Sequence, residues 1–296
     1  RCVLEAECEI SLETTPHAIT GEKLAQWRKL GINRLSIGVE SLDDNELAAM
    51  GRDHTHDEAV KGIQLACGSG MPSVCVDLMY GLPTQSVSSL KRTIGEILAL
   101  SRIYPNLNHV SAYGLHIETN SPLYMRFPKD SPSYPGEEEY RAMFFALVEM
   151  LEAEGFFHYE VSNFARTGWQ SRHNLNYWSN SEYLAFGVSA HRYISGCRSS
   201  NWRSLTRYMR DCLGDETREA IDEKTRLKEA IMLGLRLRNG IEVEQFNARY
   251  EVDFLARFGQ QIDKLTDCGM LTLDGGRLFI SKEHVPISNS IIAEFF

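Results

Sequence analysis

The sequence predicts an α/β protein whose first part is built on a parallel sheet. Short apolar strands alternate with helices along residues 9–113, which is typical of βαβ units. A Pro/Ser-rich stretch at residues 129–135 interrupts the alternation, and the last part of the chain follows a helix, helix, hairpin pattern. We therefore expect three regions: an α/β region at 1–128, an α+β region at 129–215, and a winged-helix-like region at 216–296.

In the first region, strands with apolar or alternating character are expected at 9–13, 34–39, 73–79 and 109–113. Helices are expected between them at 21–30, 44–51, 57–67 and 87–102. Gly31 and Gly51 are suited to ending the first two helices. Ser41 to Asp44 resembles a capping box that opens the second.

The rest of the chain is predicted from similar signals. An amphipathic helix at 137–154 is stopped by Gly155, a strand follows at 158–161, and the aromatic run 172–178 is expected in a loop. Helices at 225–237 and 253–268 precede a hairpin at 270–280, whose turn is Asp274-Gly275-Gly276. Helix, helix, hairpin is the pattern of a winged-helix module.

Composition limits the partners. The 296 residues are 43% hydrophobic and 24% charged, with a formal net charge of −9. This balance is typical of a globular protein and argues against nucleic acid or an anionic membrane surface as the partner. No apolar run is long enough for a membrane span.

The seven irregularly spaced cysteines indicate free thiols in a reducing compartment. The chain begins with Arg1, which we interpret as a fragment or a processed chain.

Charged residues mark the predicted carboxyl ends of the strands, where functional side chains of parallel sheets cluster. Glu13, Glu40 and Asp77 end strands, and Arg52 follows the short helix. The carboxylates could bind the amine or ribose hydroxyls of a nucleoside-like ligand, and Arg52 could hold a carboxylate bidentately. The alternative is that all four are solvated strand-end charges.

The run from Arg172 to Trp178 combines a His, amides and large aromatics. His173 could ligate a metal inside a flat macrocycle, with Tyr177 and Trp178 packed against its face. The alternative is a hydrogen-bonded structural His beside core aromatics. His191 is a second, weaker ligand candidate.

The residues His173, Asn174, Tyr177 and Trp178 form a His-Asn-x-x-Tyr-Trp pattern. It resembles that of HemW-type haem chaperones, relatives of oxygen-independent coproporphyrinogen oxidases in the radical-SAM superfamily. Residues 9–16, 33–41, 51–54 and 77–83 are similar, in order and spacing, to the third to fifth strands of that barrel. The resemblance implies that Glu13, Glu40, Arg52 and Asp77 contact S-adenosylmethionine, with Glu40 standing where the family normally has Gln.

The resemblance also implies a partial radical-SAM-type β/α barrel with four of its six strands. The family's Cys-x-x-x-Cys-x-x-Cys and Gly-Gly-Gly-Thr-Pro segments do not occur in this sequence. A 4Fe–4S cluster is therefore not supported by the chain, and we expect no catalysis by the chain alone. The first strand should have an unpaired edge that favours self-association.

The expected function is haem binding, with His173 as iron ligand, and haem transfer to acceptor proteins. The alternatives are an oxygen-independent coproporphyrinogen III oxidase of porphyrin biosynthesis, or a non-catalytic remnant that packs against partners. The resemblance implies a cytoplasmic protein, or a mitochondrial one if the source is eukaryotic. It also implies that residues 216–296 form a winged-helix-like domain of the type found at the C-terminus of the coproporphyrinogen oxidases.

Overall fold

The computed structural model describes residues 5–119 and 121–296. The chain divides into two compact units, Arg1–Gln170 and Ser171–Phe296. The finer division at 1–128, 129–215 and 216–296 stays a prediction.

The first unit is organised around a mixed sheet, which contains six strands in the described residues. Its strands are β1 Ser11–Thr14, β2 Arg34–Glu40, β3 Ser73–Tyr80, β4 Leu107–Gly114, β5 Phe157–Glu160 and β6 Asn163–Ala165, in the order β1-β2-β3-β4-β6-β5. The first four are parallel, and β6 runs antiparallel to both β4 and β5. The α/β class and the four predicted parallel strands are confirmed. The three-residue strand β6 was too short to show a sequence period.

Helices connect these strands, and all of them except the five-residue α5 lie where the sequence predicted them. They are α1 Gly21–Lys29, α2 Asp44–Met50, α3 His56–Gly68, α4 Val87–Ile103, α5 Pro122–Arg126 and α6 Glu137–Ala153. The cap of α2 is Asp43, whose side chain accepts hydrogen bonds from the N–H groups of Asn45 and Glu46. The predicted capping role therefore belongs to Asp43, two residues after Ser41.

The two faces of the sheet differ in character. Leu35, Ile37 and Val39 of β2 are fully buried, and they alternate with Ser36 and Gly38 on the opposite face. Strand β3 repeats this alternation, with Val74, Val76 and Leu78 on the apolar face. The period of two therefore separates an apolar core face from a face that carries polar side chains.

The edge of the sheet matches the sequence expectation. Among the described strands, β1 pairs with β2 alone. Whether this edge mediates self-association stays a prediction.

The second unit contains two smaller sheets in its described residues. Its first part consists of α7 Arg172–Trp178, β7 His191–Ile194, β8 Cys197–Asn201, α8 Leu205–Arg210 and β9 Asp215–Ala220, with an antiparallel β7-β8-β9 sheet. Its second part consists of α9 Glu223–Gly234, β10 Ile241–Glu242, α10 Val243–Tyr250, α11 Phe254–Asp267, β11 Leu271–Asp274, β12 Arg277–Ile280 and α12 Ser288–Ala293, with sheet order β10-β12-β11.

The winged-helix pattern of the second part is confirmed and extended. The helices predicted at 225–237 and 253–268 are α9 and α11, and the predicted hairpin is β11–β12. Strand β10 and helix α10 were not predicted, because they follow each other without a break and are only two and eight residues long. Gly240 lets β10 approach β12, since a Cβ there would lie 2.0 Å from the Leu278 carbonyl oxygen.

The predicted loop at 172–178 is wrong, because these residues form helix α7. The Ser171 hydroxyl caps its start by accepting from the Asn174 N–H at 3.3 Å. At its end, the Arg249 guanidinium donates to the Ser179 and Asn180 carbonyls at 2.5 and 2.7 Å. A helix of seven residues rich in Asn and aromatics has weak intrinsic helix propensity. The contact with Arg249, which is distant in sequence, therefore helps to stabilise it.

No described helix has the length and apolar character needed to cross a bilayer.

Candidate functional site

The first candidate site lies at the carboxyl ends of the parallel strands, on the polar face of the sheet. Glu13 of β1 stands beside Ser36 of β2 in the strand register. The Ser36 hydroxyl lies 2.9 and 2.8 Å from the two carboxylate oxygens of Asp77 on β3. Glu13 therefore lies beside Ser36 through the strand register, and Asp77 lies on the other side of Ser36 through the hydroxyl contact, which orients the Asp77 carboxylate.

Glu40 enters the site through an irregularity in β2. The register shifts between Gly38 and Glu40, and Glu40 has a positive φ of 65°. The Ser41 N–H donates to the Val39 carbonyl at 2.7 Å, so a tight turn of the γ type is centred on Glu40. Such a turn is strained for a residue with a side chain.

The turn places the Glu40 carboxylate above Gly38. A Cβ at position 38 would lie 3.3 Å from Glu40 Oε1 and 3.7 Å from the Thr14 carbonyl oxygen. Gly38 is the register partner of Asp77, so the space over this glycine is bounded by two carboxylates. A side chain at position 38 would fill that space.

Arg52 completes the group. Gly51 ends α2 in the left-handed conformation, and the guanidinium of Arg52 then forms an ion pair with Glu40. His54 is buried, and its Nε2 lies 3.1 Å from the Val39 carbonyl oxygen. The segment that carries Arg52 is thus tied to the irregular turn that carries Glu40. All four residues predicted from the sequence are brought to one end of the sheet.

Negatively charged groups outnumber positively charged groups in this cluster. Burial raises the pKa of Glu40, the nearby Arg52 opposes the rise, and the Asp77 carboxylate adds to it. Three carboxylates and one guanidinium leave an excess of negative charge when all are ionised. The arrangement favours a ligand that carries a positive charge, an amine or hydroxyl donors.

A buried polar chain extends below Asp77 and was not predicted. The Cys75 Sγ lies 2.9 Å from His109 Nδ1 and 3.3 Å from Asp77 Oδ1, and His109 Nε2 lies 2.9 Å from the Tyr159 hydroxyl. Burial raises the pKa of the Cys75 thiol and lowers the pKa of His109 well below its usual range. Cys75 is therefore a protonated donor that helps to orient Asp77. The period of two along β3 could have placed Cys75 beside Asp77.

The second candidate site is helix α7 in the other unit. His173 and Tyr177 are four residues apart and share one side of the helix. Their rings meet edge to face, with centroids 4.8 Å apart, and Tyr177 contacts Tyr183 in the same way at 4.6 Å. His173 is exposed, whereas Tyr177 is partly buried. The structure thus brings one predicted ligand and one predicted aromatic together.

Trp178 lies on a different side of α7, about 140° around the helix from His173. It lines a cavity of about 180 Å³ formed with α9 and α10, where Phe246 and Tyr250 are among its neighbours. The Arg236 guanidinium lies 5.8 Å from the Trp178 ring centroid. Asn174, one turn earlier, is on the Trp178 side. The predicted motif is therefore divided between two sides of one helix.

His191 opens β7, where it is exposed and pairs with Ser200 in register. Within residues 5–119 and 121–296, no three His, Cys, Asp or Glu side chains converge in an arrangement that could hold a metal ion.

Comparison with known proteins gives two family matches. The model of the Radical SAM superfamily matches residues 1–97, and the model of the HemN C-terminal domain matches residues 221–285. The first match lies within the first unit, and the second lies within the second part of the other unit.

Relatives match along almost the whole chain. A protein named heme chaperone HemW from Bacillus subtilis is 30% identical over 293 residues, which cover 97% of this chain and 76% of the relative. The mitochondrial radical S-adenosyl methionine domain-containing protein 1 of Bos taurus is 33% identical over 304 residues, covering 98% of this chain and 68% of the relative.

The fold also matches a solved structure. Coproporphyrinogen III oxidase (HemN) from Escherichia coli, described as a radical SAM enzyme, superposes with a TM-score of 0.83 and covers 98% of this chain and 70% of its own. At 19% sequence identity, this similarity shows a shared fold.

Proposed function

The chain belongs to the HemW family of haem chaperones, and we propose from this membership that it binds haem and passes it to acceptor proteins. Haem is the cargo in this proposal. The support comes from relatives that carry this name and match over nearly the full chain, together with the motif on helix α7.

One observation carries the location of the haem. His173 and Tyr177 stand on one side of α7 with their rings 4.8 Å apart, and the imidazole is exposed. A neutral imidazole is a common axial ligand of haem iron, and an aromatic ring beside it can pack against the macrocycle. We therefore assign the axial contact to His173 and the neighbouring ring contact to Tyr177.

The first unit is proposed to hold S-adenosylmethionine, which the superfamily and the bovine relative carry in their names. The oxygen atoms of Glu40 and Thr14 that lie over Gly38, together with the Asp77 carboxylate held by Ser36, fit a ligand with amine and hydroxyl donors. Glu13, on the neighbouring strand, adds a further acceptor. Arg52 fits a ligand carboxylate, but only when it is released from Glu40.

The compartment is proposed to be reducing, as in the cytoplasm or the mitochondrial matrix. All six cysteines in the described part of the chain are free thiols, which suits such a compartment.

Titration of the chain with ferric haem, followed by Soret absorbance, tests the haem proposal. We expect a saturable red-shifted Soret band in the unmodified chain. His173→Ala should weaken binding by at least about tenfold, or about 1.4 kcal/mol, because the iron–imidazole bond is lost.

His191→Ala is the matched control, since it removes an exposed imidazole from the same unit and should bind haem like the unmodified chain. Equal binding by His173→Ala and the unmodified chain would overturn the assignment of His173. Absence of saturable binding by the unmodified chain would leave the non-catalytic remnant as the better description.

A further inference from the structure

We propose that Glu40 is an internal counter-ion of Arg52. Because the Glu40 carboxylate occupies the guanidinium, the first unit binds less tightly any nucleoside that carries an amino-acid carboxylate. This inference rests on the proposed S-adenosylmethionine site. It adds a specificity-determining residue, Glu40, whose carboxylate competes with that of the ligand.

The first support is the ion pair itself. Glu40 and Arg52 are in direct contact, and their side chains are 11% and 35% exposed, respectively. A guanidinium binds one carboxylate well through its forked donors. A ligand carboxylate that approaches Arg52 must therefore displace the Glu40 carboxylate.

The second support is that Glu40 cannot move aside easily. Its backbone is fixed in the strained turn at φ 65°. The Val39 carbonyl in that turn is held by the Ser41 N–H at 2.7 Å and by the His54 ring at 3.1 Å. A strained conformation persists only where its surroundings fix it, and here they fix the backbone from which the Glu40 side chain reaches Arg52.

The third support is the cost of separating the pair. Asp77 lies close enough to Glu40 to raise its pKa, whereas Arg52 lowers it. If a ligand took Arg52, the neighbouring carboxylates of Glu40 and Asp77 would lose the guanidinium that now offsets their charge. Leaving a buried charge unpaired is strongly unfavourable, so the unmodified chain should discriminate against the carboxylate group of a ligand.

The experiment compares two neutral thioether nucleosides that share the adenosine part. S-Adenosylhomocysteine carries an amino-acid carboxylate and ammonium group, and 5′-methylthioadenosine carries neither. Calorimetric titration of the complete chain gives the dissociation constants of both. Glu40→Gln keeps the shape of the side chain but removes its charge.

We expect Glu40→Gln to bind S-adenosylhomocysteine at least about tenfold more tightly than the unmodified chain, and 5′-methylthioadenosine within about twofold. The double variant Glu40→Gln/Arg52→Ala should lose the gain, because the gain needs the released guanidinium. Glu22→Gln on α1 removes one exposed carboxylate elsewhere in the unit and should change neither constant.

Three results would overturn the inference. Weaker binding of S-adenosylhomocysteine by Glu40→Gln would show that Glu40 contacts the ligand ammonium group directly. Equal binding by both proteins would show that Arg52 is not the carboxylate site, while leaving the proposed nucleoside site intact. No binding of either nucleoside to any variant would overturn the site together with the inference, and the haem titration is independent of all three results.

Discussion

At the scale of single residues, the most consequential side chain is Glu40. Its ion pair with Arg52 would ordinarily be taken as stabilising. Yet burial outweighs that pairing, and the pKa of Glu40 is raised. The folded protein therefore binds a proton at this carboxyl group more tightly than the unfolded chain does.

This shift predicts a pH dependence of stability with a definite sign. Because the folded pKa is raised, the stabilising contribution of protonated Glu40 is complete below its ordinary pKa and is lost as the pH rises through the raised value. Glu40→Gln should therefore have a higher Tm than the unmodified chain at pH 7, and the difference should shrink toward pH 4. Thermal unfolding of both proteins across that pH range measures it. A lower Tm for the variant at pH 7 would show that the ion pair is stabilising on balance.

At the scale of elements, helix α7 shows what sequence patterns can and cannot predict. The spacing of apolar residues and the helix-capping residues were enough to predict the parallel strands and the longer helices. Helix α7 was missed because it has only seven residues, rich in Asn and aromatics, and because the carbonyls just after it bind Arg249, about 70 positions later in the chain. The turn at Glu40 and the donor role of Cys75 likewise depend on neighbouring strands. The candidate residues at strand ends could be predicted, but their pairing could not.

The position of Trp178 predicts a structural role within the second unit. The Trp178 ring lines the cavity at α9 and α10, and its Nε1 is buried without a hydrogen-bond partner among the described residues. Trp178→Ala should destabilise this unit by about 2–4 kcal/mol, because a partly buried aromatic ring that packs beside α9 and α10 is removed. Trp178→Phe should cost less than about 1.5 kcal/mol, since it keeps an aromatic ring and removes the unpaired N–H.

Chemical denaturation, followed by helix content, measures both variants. Equal destabilisation by Ala and Phe would contradict the packing role. A loss of haem affinity in Trp178→Phe at unchanged stability would instead place Trp178 in the haem contact.

At the scale of the whole molecule, the two units carry different chemistry. The first has the strand-end charges and an edge of β1 that no other described strand pairs with, and the second has the aromatic helix and the winged-helix module. The family matches show the same division, with the Radical SAM model on residues 1–97 and the HemN C-terminal model on residues 221–285. Nucleoside binding and haem binding can therefore be tested independently in the same chain.

The edge of β1 predicts concentration-dependent self-association. The Ile10 carbonyl accepts hydrogen bonds from the N–H groups of Asn33 and Arg34, so it points toward β2. Backbone N–H and C=O groups of successive strand residues point to opposite sides. Those of Leu12 therefore point toward β2, and those of Ser11 point away from it. Ser11→Pro should reduce self-association with little loss of stability, because it removes an outward donor. Leu12→Pro is the control that should destabilise the sheet. Sedimentation velocity over a concentration series measures association, and a monodisperse unmodified monomer would contradict the prediction.

Rescue of a His173→Gly variant by imidazole tests the central claim, that haem binds on helix α7 through His173, most directly. Removal of the side chain leaves a space beside Tyr177 that free imidazole can enter. The account predicts that His173→Gly binds haem weakly and that added imidazole restores the affinity and the Soret position of the unmodified chain, whereas His191→Gly needs no rescue. Unaltered haem binding by His173→Gly without imidazole would contradict the account.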